Sequence, residues 1–198
     1  MDQATPAPDA RPEAEPKHAR ILAAAATALV AEGPQCSMAS IARRAGVATG
    51  SLYTYFAGKD ELVLAVHHQL ARDMQAALVP DVPAASARAR FDAYLDGYID
   101  FFWSDPDRAI LFEMLSNLPI IPPAELVASY APSSRYIQSV LADLTAGPAA
   151  PLPDPATTAA FLGGAIRNAL KWHRARGDTL TPAAAGTLRA LCWWLVPG

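Results

Sequence analysis

Apolar residues recur along this chain at the period of a helix. Ile21, Leu22, Ala25 and Leu29 share one face of a segment that begins after Pro16 and stops at Gly33-Pro34. Ser37 can cap a short second helix over 38–45, and Gly46 supplies the left-handed residue that ends it. A third helix is predicted near 49–56, with Leu52 and Phe56 four apart on its inner face. Gly58 opens a long fourth helix, where Asp60 and Glu61 lie near the positive N-terminus and Leu62, Val66, Leu70 and Met74 continue inward. After a proline-containing break at 80–83 the pattern resumes over roughly 84–103. Asp105-Pro106, Asp154-Pro155 and Thr181-Pro182 each set a capping side chain before a proline at the first helical position, so further helices should start there. Another belongs between Pro123 and Ala146, with Pro132 a point where it can break. AGPAAPLP, 146–153, reads as a loop between apolar helices. β-branched alternation is absent and no internal repeat is found. The expectation is an all-α chain of about nine helices.

Composition narrows the class. Of 198 residues, 18% are charged and 52% hydrophobic, and the net charge is -3, so the chain is neither disordered nor a globally basic nucleic-acid coat. Charge is unevenly placed: between 17 and 59, Lys17, Arg20, Arg43, Arg44 and Lys59 oppose Glu32 alone. The start, MDQATPAPDARPEAEP, lacks the basic and apolar regions of a signal peptide and reads as a flexible tail over 1–16. The most apolar run, 21–31, is shorter than the roughly 20 residues a bilayer requires, so no membrane segment is expected. Cys36 and Cys192, isolated from one another, fit packed thiols in a reducing cytoplasm.

A short helix, a glycine turn and a second short helix is the geometry that lays a helix across a DNA major groove. With Leu52 and Phe56 facing the core, Thr49 and Tyr53 form one outward row, Ser51 and Tyr55 another, and Thr54 lies between them. Gly50 leaves room for close backbone approach. Hydroxyls, helix N-terminal amides and Lys59 at the start of the fourth helix suit phosphate groups.

SMASIARRAGVATGSLYTYFAGKDELVLAV, residues 37–66, resembles the DNA-binding domain of the TetR family of bacterial transcriptional regulators, and ARILAAAATALVAEG, residues 19–33, resembles that family's first helix. IA, AGV, G-x-LY-x-YF and GK-x-EL occur in order at the family's spacing, and the resemblance covers roughly 17–66. It implies a three-helix helix-turn-helix DNA-binding domain over 17–62. The remainder, 63–198, would be a helical effector-binding and dimerisation domain whose last two helices pair with a second copy. Carried over by position, Tyr53, Tyr55 and Lys59 are expected at phosphates, Thr49, Gly50, Ser51 and Thr54 near base edges, and Ser37 and Arg44 on the helix that crosses the backbone. Three departures stand out. Ala48 replaces the usual capping serine and leaves Thr49 as the candidate cap, Ala39 replaces a polar residue, and the 33–36 loop is about one residue short and lacks its aromatic. The third helix offers no Arg, Lys, Asn or Gln for bidentate base contacts, so specificity should lean on short hydroxyls, the Thr54 methyl and DNA shape.

In the larger region Phe91, Tyr94, Tyr98 and Phe102 recur at helical spacing, either as an aromatic core or as the wall of an apolar pocket. With Val66, Leu70, Met74, Glu113, Met114 and Asn168 they make up the candidate pocket. Glu113, an acid among apolar neighbours, could hold a cation or a hydrogen-bonding ligand. His67 and His68 project about 100° apart and cannot chelate from one face. Asp92, Asp96 and Asp100 read as a solvated helix face. Phe161, Gly164, Ile166, Trp172, Leu188, Leu191, Trp194 and Leu195 are the candidate dimer interface. No catalytic triad, Gly-rich phosphate loop or Cys-His ligand set is apparent, so neither an enzyme nor a cofactor is expected. The resulting expectation is a cytoplasmic homodimeric repressor that binds an inverted-repeat operator in double-stranded DNA and is released by a small apolar or amphipathic effector. A regulator of the same fold answering to a protein partner, or acting constitutively, is the alternative; an α-helical enzyme is more remote.

Overall fold

A computed structural model describes residues 17–81, 84, 86–146 and 154–196. The expected tail over 1–16, Val82 and Pro83 of the break, and 147–153 of the expected loop lie outside them. Among the described residues there are nine α-helices and no strand, divided between two compact units, Met1–Leu62 and Val63–Gly198. No helix among them is long and apolar enough to cross a membrane.

The N-terminal unit is built on α1 (Lys17–Glu32), a 3₁₀ turn (Gly33–Gln35), α2 (Met38–Ala45), α3 (Thr49–Leu52) and the first residues of α4 (Lys59–Leu78). Ile21, Leu29, Ile41, Leu52, Phe56 and Leu62 are buried in its core. Local chemistry sets both ends of α2. The Ser37 hydroxyl accepts from the Ser40 amide at 3.0 Å, and Gly46, at φ 65°, donates its own amide to the Ala42 and Arg43 carbonyls. Arg20 of α1 then donates from Nη2 to the Ala45 carbonyl at 2.8 Å, which satisfies a carbonyl that a helix end otherwise leaves unpaired. The third helix is shorter than expected. After Leu52 the Thr54 hydroxyl donates to the Ser51 carbonyl at 2.7 Å and the Tyr55 amide to the Leu52 carbonyl at 3.0 Å. These i to i+3 bonds close the segment as a turn before Phe56.

The C-terminal unit contains the rest of α4 and α5 (Ala87–Trp103), α6 (Pro106–Ser116), α7 (Pro123–Leu144), α8 (Pro155–Ala175) and α9 (Pro182–Leu195). Asp105, Asp154 and Thr181 cap α6, α8 and α9 by accepting the amides of Arg108, Thr157 and Ala184, and a proline follows each cap. Ser86 caps α5 on the Ala89 amide at 3.1 Å, so that helix starts a turn later than the apolar pattern suggested. Helix α5 packs against α6, α7, α8 and α9, and its Phe91, Leu95 and Phe102 join Leu115, Ile137, Leu141, Leu162 and Leu170 in the core. Helix α7 runs unbroken through Pro132. An internal proline costs about 3 kcal/mol, a loss offset here by the burial of Ile137, Val140 and Leu141 along the same helix. The aspartate row on α5 is not simply a solvated face. Asp92 accepts from Trp193 Nε1 at 2.8 Å and Asp96 pairs with Arg189 at 2.9 Å, joining α5 to α9, while Asp100 is exposed.

Candidate nucleic-acid interface and ligand cleft

Helix α2 turns Ile41, Ala42 and Ala45 inward and leaves Ser37, Ala39, Arg43 and Arg44 exposed. The two arginines differ in charge environment. Arg44 donates to Glu32 Oε1 from Nε at 3.3 Å and from Nη2 at 2.9 Å, and the Ser40 hydroxyl donates to the same oxygen at 2.7 Å. The Ser40 hydrogen bond, then the Arg44 contact, hold the Glu32 carboxyl below its ordinary range. Arg43 has no side-chain partner among the described residues, yet sequence reasoning left it out of the candidate set. The dipeptide was a signal, but its division into a paired and an unpaired cation depends on where α1 delivers Glu32.

Ala48 occupies the N-cap of α3 and provides no side-chain acceptor. Thr49 is the first residue of the helix, so its hydroxyl is not the cap, contrary to the expectation drawn from Ala48. Leu52 and Phe56 are buried, whereas Thr49, Gly50, Tyr53, Thr54 and Tyr55 are exposed and Ser51 is half-buried. The rings of Tyr55 and Phe56 lie 6.2 and 5.4 Å from that of His18, tying the turn to α1. Lys59 Nζ donates to the Pro34 carbonyl, which fixes the start of α4 against the turn after α1 and leaves two ammonium N–H groups for another acceptor. Glu61 accepts the Ala57 amide at 2.5 Å, a cap for the same helix start.

The C-terminal unit holds a cleft of about 560 Å³ between α5, α6 and α8. Of the candidate pocket residues, Phe102, Glu113 and Asn168 line it. Val66, Leu70, Met74, Phe91, Tyr94 and Tyr98 are buried away from its lining, and Met114 is half-buried. Pro106, Ile110 and Leu170 complete an apolar wall, and Arg167, Lys171 and Arg174, spaced along one face of α8, form a basic one. Arg167 donates from Nε to Glu113 Oε1 at 3.1 Å and from Nη1 to the Tyr98 hydroxyl, and its guanidinium lies 4.9 Å from the Phe112 ring centre. Burial pushes the Tyr98 phenol upward, so it remains protonated. A Cβ on Gly163 would come within 2.8 Å of the Tyr98 oxygen, so this arrangement requires glycine. Arg174 donates to the Phe102 and Trp103 carbonyls, the latter at 2.9 Å, at the C-terminal end of α5.

A second polar feature was missed. His67 is wholly buried, and neither ring nitrogen has a partner among the described residues. The hydroxyls of Ser129, Tyr130 and Ser133 on α7 are likewise unpaired, and the Tyr130 ring meets His67 edge-on at 5.3 Å. Burial is the main cause lowering the His67 pKa, with neighbouring His68 adding to it and Glu125 opposing. His68 itself contacts Glu125 at 2.6 Å. The helical period held a signal: His67 shares the inner face with Val63 and Leu70.

On α8 and α9, Phe161, Trp172, Leu191, Trp194 and Leu195 are exposed, Trp194 at 86%. Ile166 and Leu188 are buried within the chain and Gly164 is half-buried on the cleft. The first five are thus the apolar members of the candidate interface that the isolated chain leaves uncovered.

Residues 21–66 match the family model described as bacterial regulatory proteins, tetR family. Nearly the whole chain is similar in fold to solved structures. A TetR family transcription regulator from Marinobacter aquaeolei VT8 is 18% identical, with 91% of this chain and 95% of that one covered and a TM-score of 0.80. A TetR-like transcriptional regulator from Rhodococcus sp. RHA1 is 24% identical over 92% and 97% of the two chains, with a TM-score of 0.70. The transcriptional regulator FadR from Bacillus subtilis, in complex with stearoyl-CoA, is 18% identical over 90% and 97%, also with a TM-score of 0.70. The helix-turn-helix built by α2 and α3 lies within the residues that match the tetR family model, and the chain shares its fold with solved TetR family transcription regulators.

Proposed function

We propose that the chain acts as a homodimeric repressor that binds an inverted-repeat operator and leaves it when a small apolar or amphipathic effector binds the C-terminal unit. The observation that carries the DNA half is the division of one short segment: Leu52 and Phe56 anchor it while Thr49, Gly50, Tyr53, Thr54 and Tyr55 face outward. Lys59 lies at the start of the next helix and Arg43 on the preceding one, where both can add charge for phosphates. Ser37 keeps its hydroxyl hydrogen free while it caps α2, so it can donate to a phosphate as well.

Dimerisation is supported by the uncovered apolar residues of α8 and α9, since such a face on two helices costs free energy in water until a partner covers it. Effector control is supported by the cleft and by the likeness in fold to a FadR that was solved with stearoyl-CoA. Helix α4, Lys59–Leu78, carries residues of both units along one stretch of chain. An effector that prefers one setting of that helix shifts the population of the spacing at which two recognition helices meet successive major grooves. Selection of bound fragments from genomic DNA should enrich an inverted repeat; no enrichment over input would defeat the reading. By linkage, an effector that weakens operator binding must itself bind less tightly to the operator complex, by the same factor.

A further inference from the structure

We propose that the cleft between α5, α6 and α8 binds an amphipathic organic anion, its carboxylate or phosphate head held by Lys171 and Arg167 and its apolar body laid against Phe102, Pro106, Ile110 and Leu170. This rests on the reading of the C-terminal unit as effector-binding and names the class of effector.

Charge carries the first step. Arg167, Lys171 and Arg174 are spaced by four and then three residues, so they stack on one face of α8, neighbours in a row having Cβ atoms about 5–6 Å apart. Like charges at this spacing repel, and the acid on the cleft lining is Glu113 alone. Asp105 also acts on Arg174, but its carboxylate accepts the Arg108 amide as the α6 cap and contacts the Arg108 guanidinium at 3.4 Å. The lining therefore has two more cations than acids, beside an apolar wall.

The second step is availability. Arg174 is turned onto the Phe102 and Trp103 carbonyls and stacks 4.7 Å from the Trp103 ring centre, so it stiffens the wall more than it offers a donor. Arg167 is held by Glu113 through Nε and by Tyr98 through Nη1, which leaves Nη2 with its hydrogens unassigned and its direction set in advance. Lys171, exposed between them, has no partner among the described residues. A positioned guanidinium N–H and a free ammonium one turn away are a suitable pair for one anionic head, and neither has to break a protein contact to take it. The amide of Asn168 lies on the same lining. A Cβ at Gly164 would meet nothing within 4 Å, so the helix backbone there is open to the apolar body. A neutral apolar ligand would use the wall but leave the cation row uncompensated.

Full-length protein is titrated calorimetrically with decanoate, decyl phosphate and 1-decanol, and operator affinity is measured in parallel. Both anions should bind, 1-decanol should bind about tenfold or more weakly, and Lys171→Gln should weaken the anions by about tenfold while leaving 1-decanol unchanged, as loss of a charge-assisted hydrogen bond requires. A preference for decanoate over decyl phosphate, or the reverse, identifies the head. Ala109→Phe, which fills the lining without altering charge, should abolish binding of all three. Equal binding of 1-decanol and the anions, indifference to Lys171→Gln with the fold intact by circular dichroism, or no binding of either anion would each overturn the assignment. Anion binding that leaves operator affinity unchanged upholds the site and rejects only its role as the effector site; release of the operator by some other compound with no anion bound does the opposite.

Discussion

Arg44 on α2 gives its guanidinium to Glu32 at the end of α1, with 2.9 Å between Nη2 and Oε1, while its neighbour Arg43 has no partner among the described residues. Two adjacent cations on one short helix thus differ in charge compensation. Arg43→Ala should weaken binding to every DNA sequence and lower the magnitude of the salt slope by about one, the mark of a lost phosphate contact. Arg44→Ala should change the slope less and lower thermal stability, because it removes the ion pair that joins α1 to α2. Salt titrations of operator binding with equal slopes for the two variants would contradict this division.

Gly163 and Gly164 are adjacent on α8 but differ in what surrounds them. Alanine at 163 would place its Cβ 2.8 Å from the Tyr98 oxygen and displace the phenol and the Arg167 contact, a strain expected to cost about 1–3 kcal/mol. Alanine at 164 meets open space and should be neutral or stabilising by up to about 1 kcal/mol, since alanine is the better helix former. Urea unfolding of the two variants makes the comparison, and equal effects would rule out the close packing at 163.

His67 supplies a pH dependence. Its folded pKa is lowered mainly by burial, so the native state resists protonation that the unfolded chain accepts near 6.5. Below that value the unfolded state binds more protons, and stability should fall as pH drops through 6.5 toward the folded pKa. His67→Leu removes both unpaired nitrogens at similar volume, and should flatten this fall between pH 7.5 and 5 without lowering stability at pH 7.5. Denaturant midpoints measured at the two pH values decide it; an unchanged pH slope in the variant would exclude His67 as the source.

Trp194 and Leu191 lie on the exposed face of α9 and support no core of their own chain. Trp194→Glu combined with Leu191→Glu should yield a monomer by sedimentation with unchanged helical content, and should weaken operator binding because a single half-site no longer gains from its partner. The wild-type protein should sediment as a dimer at micromolar concentration; a wild-type monomer would remove the basis for the interface.

Much of the fold was legible because helix boundaries are written locally. A cap followed by proline at Asp105-Pro106, Asp154-Pro155 and Thr181-Pro182, or Gly46 after α2, acts within one turn of chain, and the observed helices begin or end there. Where distant packing competes with a local rule, reading the chain alone went astray: Pro132 sits inside α7, and α3 closes at Leu52 once Thr54 takes the Ser51 carbonyl.

By itself, then, the amino-acid sequence determined an all-helical chain with a helix-turn-helix that resembles a known family's and outward hydroxyls around its third helix and the turn that follows it, because periodicity, capping and a short contiguous motif are properties of neighbouring residues. Only tertiary structure decided that Arg44 is paired and Arg43 is not, that six apolar pocket candidates fill the core while Arg167, Lys171 and Arg174 line a cleft, and that His67 is buried without a partner. These depend on which groups from remote helices reach the same few ångströms of space, and both charge compensation and burial are settled at that distance.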